Sequence, residues 1–237
     1  MIEQLTLPVR LLDESRFANF FVNGNEHLVN ELRETVLGQG QTILFIYGNK
    51  GVGCTHVLQA CCHLAREFHK QTFYLCLTNP GLTCEALYNL EQMDVVCLDG
   101  VEAVMGDTDW EVQLFHLFNR MRDLGKALII ASTKSPKQLE CKLPDLKSRL
   151  QWGLVMPVAE LSDEDKVLAL GLRAQLRGFE LPEEVGLFLL KRYSRNMHDL
   201  IAIFERLDQA SLQEQRKLTI PFVKKILDIN VEEIEVE

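Results

Sequence analysis

Apolar positions along this chain follow two regimes in turn. Up to about residue 157, short apolar runs at 43–47, 72–77, 93–99 and 126–132 alternate with segments at 27–37, 55–69 and 110–124 whose apolar residues recur every three or four positions. Runs of that length, apolar almost throughout, predict parallel strands covered on both faces, and the intervening periodicity predicts amphipathic helices. Strand and helix in alternation give a parallel sheet sandwiched by helices. From residue 161 the pattern is helical only. Ser162 caps a helix carrying Asp163, Glu164 and Asp165 in its first turn, Gly178 stops it, and further helices are expected over 181–193, 197–215 and 219–227. The acidic tail 231–237 has little to bury. The expected organisation is an N-terminal peptide, 1–10, an α/β core, 11–157, and a small all-helical domain, 158–237.

The first strand runs into Gly48-Asn49-Lys50-Gly51-Val52-Gly53-Cys54-Thr55-His56 and then a helix. A phosphate-gripping loop needs glycines so that backbone N–H groups close around the anion, a helix N-terminus, a lysine for the outer phosphates and a hydroxyl for magnesium. Gly48, Gly53 and Thr55 stand at that spacing, but the lysine position holds Cys54. A thiol cannot neutralise the outer phosphates. The segment is either a nucleotide loop poor at turnover or a glycine-rich turn with no ligand. The run Val95-Val96-Cys97-Leu98-Asp99 ends in an acid at the C-terminal sheet edge, where the carboxylate can orient magnesium. The second acid of P-loop hydrolases is replaced by Gly100, and Glu102 stands at a different position. Arg149 closes a short helical pattern beside Trp152, and its forked guanidinium suits phosphate oxygens of a neighbouring molecule or a surface salt bridge.

Composition narrows the class. With 237 residues, 47% hydrophobic and 25% charged, the chain fits one large or two smaller globular domains. No apolar run approaches the roughly 20 residues of a membrane span, and no basic, apolar signal segment opens the chain, so the expectation is a cytoplasmic protein without a membrane partner. The formal charge of −9 disfavours broad contact with DNA phosphates. The seven cysteines lack zinc-type or CxxC spacing and read as reduced core thiols. Gln4-Leu5-Thr6-Leu7-Pro8 forms either a short docking peptide or a first strand, and the aromatics from Phe17 to Phe21 either flank a base or pack in the core.

These stretches together resemble the AAA+ core of the DnaA family of bacterial replication proteins. The resemblance is carried by Gln4 to Pro8 as a sliding-clamp motif, Phe17 to Gly24 near the base, Gly48 to His56 as Walker A and Val95 to Asp99 as Walker B. It continues in Leu146-Lys147-Ser148-Arg149 with Trp152-Gly153 as the arginine-finger box. The stretches 161–166, 177–182 and 216–224 are closest to the shorter regulatory members, which lack a DNA-binding helix-turn-helix domain. The resemblance implies an AAA+ core with a helical lid, acting as a negative regulator of replication initiation. Such a protein binds the DNA-loaded sliding clamp, the beta subunit of DNA polymerase III, through Gln4, Leu5, Leu7 and Pro8. It then offers Arg149 as an arginine finger to ATP held by DnaA, leaving inactive ADP-DnaA, and meets DNA only through the clamp. Its own ligand is expected to be ADP, held by Phe17, Gly48, Gly51, Val52, Gly53, Cys54, Thr55, His56, Asp99 and His198, with magnesium on Thr55 and Asp99. Cys54, Gly100, Thr133 at the sensor-1 position and His198 in place of a lid arginine depart from the initiator and imply that its own ATPase is lost. Self-association through AAA+ faces is a further expectation. The alternative reading is a non-catalytic adaptor that binds the clamp and recruits partners.

Overall fold

A computed structural model describes residues 15–232, with side chains to 227. The described residues divide into two compact units at the step from Glu160 to Leu161. In the first unit the chain runs through α1 (Glu26–Leu37), β1 (Ile43–Tyr47), α2 (Cys54–Glu67), β2 (Thr72–Cys76), β3 (Val95–Asp99), α3 (Thr108–Asp123), β4 (Ala127–Ser132), α4 (Pro144–Trp152) and β5 (Leu154–Pro157). The five strands form one parallel sheet in the order β2-β3-β4-β1-β5. Side chains alternate across it, as a pleated strand requires. Leu44, Ile46, Val95, Cys97, Ile129 and Ala131 share a core with α1 and α2, whereas Ile43, Phe45, Val96, Leu98, Leu128 and Ile130 share the other with α3 and α4. Both faces are covered, which is why the strands read as continuous apolar runs.

The second unit contains α5 (Asp163–Leu176), α6 (Glu183–Arg192), α7 (Met197–Glu214) and α8 (Ile220–Glu232). Its own core gathers Leu170, Val185, Leu189, Leu200, Phe204, Leu207 and Val223. Ser162 caps α5 as expected, its hydroxyl accepting the Asp165 amide. Three expectations need correction. The last helix is longer than 219–227, reaching Glu232 and taking in the start of the acidic tail. Arg149 does not close its helix, because α4 continues through Trp152. The strand β5 lies beyond Gly153, where no strand was expected.

Candidate functional site

The glycine-rich loop is held by the ends of two neighbouring strands. The Gly48 amide donates to the Ser132 carbonyl at 3.2 Å, so the loop leaves β1 tied to the end of β4. At the other end Gly53 caps α2 with φ of 108°, and a Cβ there would meet the Phe20 ring at 2.9 Å. Only glycine suits that position. The first amides of α2, at Cys54, Thr55 and His56, lie at a helix N-terminus, where unpaired N–H groups favour an anion. His56 Nε2 is 2.9 Å from the Arg16 carbonyl and its ring centroid is 5.5 Å from that of Phe20.

Thr55 and Asp99, expected to share a magnesium ion, are in contact: the Thr55 hydroxyl donates to Asp99 Oδ2 at 2.7 Å. Two adjoining protein oxygens fit a magnesium ion that takes its remaining ligands from phosphate and water. Among the described residues no group of three or more His, Cys, Asp or Glu could hold a metal. The Tyr74 hydroxyl donates to the same Asp99 oxygen, also at 2.7 Å. Burial raises the Asp99 carboxyl above its ordinary range, against the opposing pull of these hydrogen bonds. The Cys54 thiol is pushed up to about 12 by burial and then by the Asp99 charge, so it stays neutral in the lysine position.

Gly100 has a structural cause. It takes φ of 75°, and a Cβ there would meet Thr78 Cγ2 at 2.8 Å, so this backbone leaves no room for a second Walker B acid. Glu102 instead follows on a 3-10 turn, Val101–Ala103, where its Oε1 accepts from the Thr133 amide at 3.1 Å and hydroxyl at 2.7 Å.

The other expected residues divide. Phe17 is buried in the first core with the Arg33 guanidinium 5.2 Å from its ring centroid, and the aromatic that packs at the loop is Phe20. His198 is exposed in the first turn of α7, within the second unit. Gln4, Leu5, Leu7 and Pro8 lie outside the described residues. Arg149 is half-buried on α4 and has no hydrogen-bond or ion-pair partner among the described residues, while Trp152, one turn on, is 64% exposed. Leu146 and Leu150 pin that helix to the sheet. Its start is fixed by the buried Glu111, which accepts from the Gly106, Lys142 and Leu143 amides at 2.7, 3.0 and 2.7 Å. Sequence reasoning missed Tyr74 and Glu111, and it took in Phe20 only as one of the aromatics from Phe17 to Phe21.

Among the described residues no helix is long and apolar enough to cross a membrane. Residues 12–157 match the family model for the bacterial DnaA ATPase domain, and residues 163–227 match that for the Hda lid domain. Domain III of the Thermotoga maritima replication initiation protein DnaA is similar at 26% identity with a TM-score of 0.77, over 92% of this chain and 98% of that one. AMPPCP-bound DnaA from Aquifex aeolicus is similar at 25% identity with a TM-score of 0.68, over 86% of this chain and 71% of that one. The Thermotoga maritima RuvB Holliday junction branch migration motor shares the fold at 16% identity with a TM-score of 0.64, over 87% of this chain and 68% of that one. With the ATPase match over the sheet and the Hda match over the lid, the chain belongs to the DnaA-related AAA+ family, in its Hda-like branch.

Proposed function

We propose that this chain regulates DnaA, lending Arg149 to ATP bound in DnaA while turning over no ATP itself. The single observation carrying this reading is the half-buried Arg149, its guanidinium without a hydrogen-bond or ion-pair partner among the described residues and one helical turn before the exposed Trp152. A guanidinium locked in an internal ion pair would have argued against it. Its own nucleotide loop holds ADP through the backbone from Gly48 to Gly53 and the first turn of α2, with Thr55 and Asp99 supplying oxygens to magnesium. Bound ADP would supply negative charge at the α2 N-terminus and a ligand that stabilises the loop. Cys54 and Gly100 remove the lysine charge and the second acid that hydrolysis uses. The N-terminal Gln4-Leu5-Thr6-Leu7-Pro8 peptide docks on the sliding clamp, which brings Arg149 to DnaA on DNA.

In this scheme the guanidinium stabilises charge on the phosphoryl group in transfer to water within DnaA, an effect worth about 10³–10⁵ in rate. The test is hydrolysis of DnaA-bound ATP in the presence of clamp-loaded DNA. The wild type should accelerate it, and Arg149→Ala should lose about 10³-fold or more of that stimulation while still binding the clamp. Absence of stimulation by the wild type overturns the proposal.

A further inference from the structure

Three strand ends meet at the nucleotide loop. β3, β4 and β1 are adjacent, with Asp99 opposite Ala131 and Tyr47 opposite Ser132. Just past these ends the dipeptide Ser132-Thr133 is held from both sides. Its Ser132 carbonyl accepts the Gly48 amide at 3.2 Å, and its Thr133 amide and hydroxyl donate to Glu102 Oε1 at 3.1 and 2.7 Å. The first residue of the phosphate loop and the Glu102 carboxylate are thus fixed to the same two residues. The second carboxylate oxygen, Oε2, is out of solvent, and no cation pairs with the carboxylate among the described residues.

The charge also reaches the loop. Burial pulls the Glu102 carboxyl upward, but hydrogen bonds from the Thr133 and Ser132 side chains and from the backbone at Glu102 and Thr133 together hold the group below its usual range, ionised at neutral pH. Thr133, which holds the carboxylate, directly follows Ser132, whose carbonyl accepts the first amide of the loop. Position 54 is the place from which a P-loop lysine reaches the β- and γ-phosphates, and a carboxylate fixed beside that loop opposes their charge. A lysine there would offset the repulsion. A neutral thiol does not.

We infer that Glu102 sets the nucleotide specificity of this site: held by Thr133 beside the phosphate loop, its carboxylate repels the third phosphate and leaves a nucleoside diphosphate as the preferred ligand. The inference rests on the loop being a nucleotide site, as proposed above, and is independent of Arg149.

Titration calorimetry of the full chain with ADP and ATP, each with magnesium, tests it on the wild type, Glu102→Gln and Thr133→Val. Glutamine keeps an oxygen acceptor for Thr133 and removes the charge, whereas valine removes one hydrogen bond and keeps the charge. The wild type should favour ADP. Glu102→Gln should narrow that preference about tenfold by tightening ATP, with ADP little changed, and Thr133→Val should retain most of the preference. An unchanged preference in Glu102→Gln overturns the role of Glu102 and leaves the nucleotide site standing. An equal change in both variants assigns the effect to the turn rather than the charge and likewise overturns it. If the wild type binds neither nucleotide, the reading of the loop fails first and this inference with it.

Discussion

Asp99 receives two hydroxyl donors on one oxygen, from Thr55 and from Tyr74, and is only 9% exposed. Burial nevertheless leaves its carboxyl easier to protonate in the folded chain than the ordinary aspartate value of 3.8. A raised folded-state pKa means that the native state binds the proton more readily than the unfolded one. Its ionisation therefore opposes folding: the penalty grows as pH rises from 3.8 through the folded value and is complete above it. Asp99→Asn removes the charge while leaving an oxygen for Thr55 and Tyr74. Scanning calorimetry near neutral pH should show the α/β unit melting a few degrees higher in this variant, with the gain shrinking toward pH 4. Nucleotide binding that depends on magnesium should weaken in the same protein. A lower melting midpoint near neutrality would mean that the hydroxyl bonds to the carboxylate outweigh its burial. Asp99 was legible because an acid at the end of an apolar run breaks the pattern. Tyr74 was not, because a phenol fits a strand as well as an apolar side chain does, and its hydroxyl partner lies on the next strand.

The helix that carries Arg149 has no side-chain cap of its own; Leu143 stands at its N-cap and Pro144 opens it. Glu111 on α3 instead fixes the chain that leads into it, holding the Lys142 and Leu143 amides just before α4 and the Gly106 amide before α3. Burial raises this carboxyl, and the three backbone donors together with the Cys141 thiol more than reverse that, so its folded value is lowered. Its contribution to stability is therefore present above the ordinary 4.5 and is lost as pH falls through the folded value. Glu111→Gln sets an NH₂ group against a backbone N–H and should cost about 1–3 kcal/mol. We expect chemical denaturation to show that loss, together with weaker stimulation of DnaA-bound ATP hydrolysis by the folded fraction. Full stimulation in the folded fraction would show that Leu146 and Leu150 alone position Arg149. The Glu111 tie was illegible in sequence because Glu111 and its partners at Lys142 and Leu143 are 31 and 32 positions apart. β5 was missed for a different reason. It has four residues, ends in Pro157 and among the described residues pairs only with β1, and an edge strand tolerates a proline that a central strand would exclude. The inner strands were plain because burial on both faces demands an unbroken apolar run.

Across the whole chain, the groups read as functional and structurally described fall mostly within one unit. Thr55, Asp99, Glu102 and Arg149 precede the division at Glu160, and His198 follows it. Each unit has its own core, so the packing of one does not supply the interior of the other. In the second unit Phe204 is 0% exposed, stacks on Phe179 at 5.4 Å between centroids, and lies 5.8 Å from the Arg177 guanidinium. Removing that ring leaves a cavity among four helices, and Phe204→Ala should cost this unit about 3–5 kcal/mol. Hydrogen exchange resolved by peptide should then show α5, α6 and α7 losing protection while β1, β3 and β4 keep theirs. Stimulation that depends on Arg149 should survive in proportion to the intact first unit, since the guanidinium and the contacts that fix α4 belong to it. Equal loss of protection in β1 and β3 would instead mean that the two units unfold as one, and that the lid's packing is a condition for the site rather than an addition to it.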